Sequence, residues 1–497
     1  MYLDPFPFGN TDGTSQPLDE QTANPLSTQE MMPSHQQTSL VIVGAKGTGK
    51  SYSLKRLHHS LISASSYHDY YIDEIQRDVP PSDDVQDFTF SFADRFATEK
   101  WSKAWRCAIV NAFTSHVLFM PQIKARLEDS VASRLLDLAT HFYPFRDTPI
   151  SVYAQLAHII HEKDDVQLNE YLEDSRWQDY LHTIEEVLQS IPTLYFFMDS
   201  IDEHYHRFPY AWMKCQKGLF YCIRGIAADP RFLGGKLKII IALRDHVIFD
   251  IFRNDPGSAL LNDRFLLVLP WDQDSITRFL NSKISALSEQ HLFAGQVRNI
   301  NDWLGIDEAE SFEQNHSLTS YVLSNTRLVP RDIVIVGNNL AEKVRVSKSL
   351  QRPKLSHAEV IRAITETSAS LGREQVTLAQ DHINTFNRSL TENTNMYDNL
   401  AQSSRLYDFL RQYSHKSMSR SALHQLADES RRVFGQGIDL PLILYQNRIL
   451  GYVQDRNVVF YSGSLYDVPH KSDSKIAQLS VDRKRYEKHV QPRIQSE

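Results

Sequence analysis

Three cysteines in 497 residues, Cys107, Cys215 and Cys222, cannot make a disulfide framework, and the Cys215 to Cys222 spacing matches no metal knuckle. Buried or incidental thiols in a reducing cytoplasm are the expectation. Long apolar runs are also lacking. The longest candidate, Ile239 to Phe252, is broken by Arg244, Asp245, His246 and Asp250, which excludes a membrane span of about eighteen residues. A basic excess is missing as well: 53 Lys and Arg stand against 61 Asp and Glu, for a net charge of −8. That balance argues against a protein coated in basic surface for nucleic acid, while leaving room for a local basic face. The first 38 residues lack Lys and Arg and are rich in Pro, Ser, Thr, Gln and Asn, so they show no signal-peptide pattern and read as a partly disordered leader. A soluble chain of two to four domains is expected at this length.

What is present is organised around Ser39 to Ser51, an apolar strand running into Gly44-Ala45-Lys46-Gly47-Thr48-Gly49-Lys50-Ser51 and then into a helix that opens with Tyr52. This is the G-x-x-x-x-G-K-S pattern of a P-loop. Its glycines let successive N–H groups point inward at phosphate oxygens, the following helix N-terminus adds positive field, Lys50 reaches the β/γ-phosphates and Ser51 ligates Mg²⁺. The ligand expected is ATP with Mg²⁺, contacted by Gly44 through Tyr52. In the leader, Asp4 to Asp12 carries two aromatics, Phe6 and Phe8; docking against the ATPase domain near the adenine, or anchoring a loose terminus, are the two readings.

Tyr67 to Ile75 alternates as a second strand, and Val79 to Asp84 is an acidic, proline-broken loop. Residues 99 to 190 read as a helical insertion. Trp101, Trp105, Ile109 and Ala112 share one face, and Leu168, Tyr171, Leu172, Trp177, Tyr180, Leu181 and Ile184 recur at helical spacing, as helix cores do. Thr193 to Met198 is then a continuous apolar strand ending in Asp199-Ser200-Ile201-Asp202-Glu203. That ending reads as a Walker B: Asp199 holds Mg²⁺, and Asp202 or Glu203 orients the attacking water. His204, Tyr205 and His206 follow without partners at metal-ligand spacing. The third central strand, Lys236 to Asp245, presents Arg244 at its tip, where it can sense the γ-phosphate or pair with Asp199 or Asp202. Arg264 to Trp271 is the last strand, and Asp272 caps the next helix.

Residues 286 to 397 are expected to form a helical lid and linker. Asn325 to Val334 places Pro330 at a helix start with Arg331 just inside, where it can report bound nucleotide; helix capping and surface charge are the alternative for it and for Arg327. Ser356-His357-Ala358-Glu359 is a capping box, and residues 387 to 397 resemble a hinge in composition. Beyond them come helices over Tyr407 to Tyr413 and Ser421 to Arg432. Apolar segments Leu442 to Tyr445, Ile449 to Val453 and Val458 to Tyr461 follow, separated by turns. Two or three short helices and a β-hairpin make a winged helix over residues 398 to 465. From residue 400 onward fifteen Lys and Arg face ten Asp and Glu, with Arg483-Lys484-Arg485 in a tail, 466 to 497, expected to be disordered.

The expected architecture is therefore α/β: a P-loop NTPase parallel sheet over residues 39 to 285 with its helical insertion, a lid, and a C-terminal winged helix. The strand order, the D-x-x-D-E ending, the arginine after the third strand and Pro330-Arg331-Asp332 resemble the AAA-like STAND signal-transduction ATPases. With Phe8-Gly9-Asn10-Thr11-Asp12 added, they are similar to bacterial P-loop ATPases encoded beside antiviral-defence genes. The resemblance implies a slow, cytoplasmic ATPase, with Gly44 to Ser51 on ATP, Ser51 and Asp199 on Mg²⁺, Asp202 or Glu203 on water, and Arg244 and Arg331 as nucleotide sensors. No effector domain is recognisable, so the output would come through self-association or a partner protein. A DNA-transaction ATPase using the winged helix on duplex DNA, and a scaffold that binds nucleotide without turnover, are the alternatives.

Overall fold

The computed structural model describes residues 6–11, 28–31, 38–64, 70–74, 98–143, 151–161, 163–191, 193–199, 209–229, 232–254, 265–293, 297–308, 310, 312, 317–390, 405–412, 420–450, 452–454 and 457–459. It is a mixed α/β protein, mostly helical, and its chain divides into two compact units. One comprises Thr28–Val43 and Ser53–Leu267; the other comprises Met1–Ser27, Gly44–Tyr52 and Val268–Glu497. Among the described residues no helix is long and apolar enough to cross a membrane.

The sheet is built from β1 (Ser39–Gly44), β2 (Tyr70–Glu74), β3 (Leu194–Met198), β4 (Leu237–Arg244) and β5 (Leu266–Val268), in the order β2-β3-β4-β1-β5. Strand β3 runs parallel to both neighbours, with Leu194 opposite Tyr70 on one side and Leu237 on the other. The runs Leu40–Val43 and Ile239–Leu243 are buried throughout, as covering both faces of a parallel sheet requires. Within β4 Lys238 and Arg244 are buried charged residues, and loss of hydration lowers the pKa of Lys238. Helix α1 (Lys50–Ala64) follows β1.

Between β2 and β3 the chain forms α2 (Thr98–Phe119), α3 (Asp129–Phe142), α4 (Val152–His161), α5 (Asp165–Leu172) and α6 (Arg176–Ser190); α7 (Pro209–Ala228) precedes β4 and α8 (Asp245–Asn254) follows it. Trp101, Trp105, Ile109 and Ala112 of α2 are fully buried. Helix α7 approaches α2 so closely that a Cβ on Gly218 would stand 2.3 Å from Trp101 Cβ, and Trp105 Nε1 donates to the Cys215 carbonyl at 2.9 Å. Phe142 stacks on Trp177 at 3.9 Å and on Tyr180 at 5.5 Å. The aromatic stripes of the insertion are thus helix cores, as their spacing suggested. Cys107, Cys215 and Cys222 are buried in this bundle, where desolvation pushes every thiol up and suppresses thiolate chemistry.

In the other unit, α9 (Gln273–Ser285) begins at Asp272, whose side chain accepts from Ser275 N as the sequence anticipated. It is followed by α10 (Ile300–Leu304), α11 (Leu318–Ser324), α12 (Pro330–Ser349) and α13 (His357–Leu390). The capping box at the start of α13 is formed: Ser356 N donates to the Glu359 carboxylate at 2.9 Å, and Glu359 N to Ser356 Oγ at 3.3 Å. Helix α13 continues to Leu390, so the first part of the expected hinge, 387 to 390, is helical; residues 391 to 397 lie outside the described residues.

Three helices, α14 (Arg405–Arg411), α15 (Arg420–Phe434) and α16 (Leu440–Gln446), precede an antiparallel pair, β6 (Tyr452–Gln454) and β7 (Asn457–Val459). The open count of two or three helices resolves to three, because Leu442 to Tyr445 is helical. Asp439 caps it by accepting from Leu442 N, and Pro441 supplies a preset φ in the first turn. Val376, Ala379 and Ile383 of α13 share one core with Leu406, Leu410, Leu426, Phe434 and Leu444.

The leader motif packs in this unit. Phe8 is 1% exposed, lies 5.1 Å from the Trp303 ring, and occupies the space over Gly337, where a Cβ would meet Phe8 Cδ1 at 2.2 Å. Asn338 clamps the segment, accepting from Phe8 N at 2.8 Å and donating to the Gly9 carbonyl at 3.0 Å. The motif is anchored by Phe8 on α12.

Candidate functional site

The glycine-rich turn from Gly44 to Ser51 connects β1 to the N-terminus of α1, which starts at Lys50. Gly47 and Gly49 hold φ of +91° and +87°, a region that side chains with a Cβ rarely enter, and over Gly49 an added Cβ would meet nothing within 4 Å. The turn is braced from within: Thr48 Oγ1 donates to the Ala45 carbonyl at 2.8 Å, and Trp271 Nε1 donates to the Thr48 carbonyl at 2.8 Å. Lys50 is buried, and its ammonium donates to the carbonyls of Gly44 and Ala45 at 3.0 and 3.2 Å.

Arg331 sits directly against this turn. Its backbone N–H donates to the Gly47 carbonyl at 3.2 Å, and a Cβ on Gly47 would fall 2.8 Å from Arg331 Cβ. The position follows from the local sequence: Pro330 starts α12 and leaves Arg331 in the first turn, where its N–H has no partner within the helix. One oxygen of Glu374, on α13, takes Arg331 Nη1 and Lys46 Nζ, each at 2.9 Å. Burial pushes the Glu374 carboxyl up, but Arg331 and Lys46 beside it dominate and hold it at about 2. Arg331 Nε is buried with no acceptor among the described residues.

Arg327 does something else. Its Nε and Nη2 donate to Asp332 at 2.9 and 2.5 Å, and its backbone N–H donates to the same carboxylate at 2.9 Å. Arg448 Nη1 donates to the Arg327 carbonyl at 3.2 Å. The role of Arg327 is to hold the turn before α12, where Leu328 adopts φ +58°.

In the sheet-bearing unit, Asp199 follows the last residue of β3 and is half-buried; the Tyr153 hydroxyl donates to its backbone carbonyl. Arg244 ends the neighbouring strand β4, is buried, and places its guanidinium 5.8 Å from the Trp212 ring centre. Asp199 and Arg244 thus mark the C-terminal ends of adjacent parallel strands. Asp202, Glu203, His204, Tyr205 and His206 lie outside the described residues. Among the described residues no group of three or more His, Cys, Asp or Glu is placed to hold a metal ion.

Glu374 and Trp271 are the contributors to the turn that sequence reasoning did not assign a role there. Trp271 stood out only as the end of a strand, and Glu374 is one acid among many on an amphipathic helix. Compared with family models, with curated proteins and with solved structures, the chain matches none.

Proposed function

We propose that the protein is a P-loop ATPase acting as a nucleotide-dependent switch, with ATP seated on Gly44 to Ser51 and the Tyr52 side of α1. The observation that carries this reading is the turn itself: two positive-φ glycines, open space over Gly49, a buried lysine at the first position of a 15-residue helix, and Arg331 hydrogen-bonded to Gly47. The N-terminal end of a helix, the lysines Lys46 and Lys50 and an adjacent arginine form a donor set suited to a polyphosphate and poorly suited to a neutral ligand.

In this reading Lys50 would bind phosphate oxygens, and Ser51 and Asp199 are the residues that would hold Mg²⁺, which would supply charge neutralisation to the phosphates. Asp202 or Glu203 orients the attacking water. Arg244 and Arg331 respond to the terminal phosphate. The three helices and antiparallel hairpin of residues 405 to 459 fit a winged helix, and self-association or a partner protein would carry the output.

The test is thermal stabilisation by Mg·ATP, which binding to the folded state alone must produce. The parent should gain melting temperature and Lys50→Ala should not; equal gains in both would remove the assignment. The excess of fifteen Lys and Arg over ten Asp and Glu from residue 400 onward favours one second reading, duplex-DNA binding by the winged helix. Light scattering with a non-hydrolysable ATP analogue, alongside DNA binding at low and moderate salt, separates the two.

A further inference from the structure

Lys46 and Arg331, the two cations that flank the glycine turn on its lid side, converge on a single carboxylate oxygen of Glu374. This is an incomplete arrangement for Arg331. A guanidinium carries five N–H donors in a fixed fork, yet Arg331 directs only Nη1 at Glu374, and its Nε is buried without an acceptor among the described residues. A phosphate, with three oxygens and more charge, can take more donors of that guanidinium than one carboxylate oxygen does while still accepting from Lys46.

We propose, resting on the nucleotide-binding reading above, that Glu374 is a built-in competitor for the terminal phosphate: it occupies Lys46 and Arg331 until a nucleoside triphosphate displaces it. The displacement has a defined place to go. Glu374 lies on α13 two residues before Val376, and Val376, Ala379 and Ile383 of that helix share a core with α14, α15 and α16. Gln380 further ties α13 to α14, accepting from Leu406 N at 2.8 Å. Releasing Glu374 from Lys46 and Arg331 therefore removes a tether between the glycine turn and the helix on which the C-terminal helices are mounted. The carboxylate sets both the affinity of the site and the coupling of its occupancy to the C-terminal helices.

The experiment compares the parent, Glu374→Gln and Glu374→Asp, binding Mg·AMP-PNP by isothermal titration, with hydrogen exchange followed over Arg405 to Gln446. Glu374→Gln should bind at least about tenfold more tightly, since the competing charge is gone, and should show without nucleotide the exchange pattern that the parent reaches only with it. Glu374→Asp, which withdraws the carboxylate by one methylene, should fall between them and decides the matter if the glutamine variant does not fold. Folded variants that bind no more tightly than a binding-competent parent overturn the competitor role and leave the P-loop reading intact. Absence of binding in the parent and in both variants overturns both.

Discussion

Asp332, wholly buried, accepts three hydrogen bonds from one residue: two from the Arg327 guanidinium and one from the Arg327 backbone N–H. The pair closes the turn that aims Arg331 at Gly47. Removing one partner leaves the other as an uncompensated buried charge, at a cost of about 3–5 kcal/mol. Asp332→Ala should lower the denaturant midpoint by that measure. The double replacement Arg327→Met with Asp332→Leu should recover most of the loss, an outcome unavailable if the two side chains acted independently.

At Gly47 two constraints coincide, the positive φ and the approach of Arg331 Cβ. Gly47→Ala should lose about 1–3 kcal/mol to backbone strain alone and should forfeit the Mg·ATP-dependent rise in melting temperature. Arg331→Ala should not rescue it, because the 2.8 Å approach is to the arginine's own Cβ, which alanine keeps. Rescue would show that the long side chain, and not the backbone path, sets the limit.

Hydrolysis should separate from binding at Asp202 and Glu203. A group that orients water matters in the transition state far more than in the bound ground state. Single-turnover rates for Asp202→Asn and Glu203→Gln should show one of them slowed by more than about tenfold with ATP affinity retained. Two unaffected rates would end the assignment of a catalytic acid to this pair.

The Phe8 anchor makes a structural prediction independent of nucleotide. Phe8→Ala empties a fully enclosed space beside Trp303 and Gly337 and should cost about 3–5 kcal/mol. Its effect should be visible in tryptophan emission, since the Phe8 ring lies 5.1 Å from Trp303. Gly337→Ala should expel Phe8 and give the same spectral change.

Acid should weaken the Glu374 contacts with a predictable sign. The carboxyl is held at about 2 against an ordinary value of 4.5, so the folded state favours its ionised form. The stability it contributes is complete above about pH 4.5 and is lost as pH falls from there through about 2. The groups that face it are Arg331, Lys46 and, further off, Arg327, all cations across this range. The melting-temperature gap between the parent and Glu374→Gln should hold constant from pH 7.5 to about 5 and close below it. A gap that instead widened in acid would contradict the sign.

Much of the local architecture was legible in the chain because it is written in short-range chemistry. Continuous apolar runs marked β1, β3 and β4, Asp272 and Ser356 marked helix starts, and Pro330 placed Arg331 in the first turn of α12. The helical nature of Leu442 to Tyr445 was harder to see, since a short run of large apolar residues suits a strand as well as a helix and the cap at Asp439 decides it. Apart from the approach of Arg331 to the glycine turn, long-range pairings were not legible. Nothing around Glu374 singles it out from its neighbours Arg373 and Gln375, because its meaning comes from Lys46 and Arg331, which only the fold brings to it. The grip of Asn338 on Phe8 and Gly9 is of the same kind.

The assignment of Gly44–Tyr52 to the same compact unit as Val268–Glu497 has a consequence for biosynthesis. The glycine turn leaves the ribosome early, whereas Trp271, Arg331 and Glu374, which brace it, are made much later. A nascent chain halted before residue 268 carries the whole G-x-x-x-x-G-K-S sequence with none of those three residues to hold it. The turn can therefore take up its braced form only after the chain has been made through Glu374, more than 320 residues beyond Ser51.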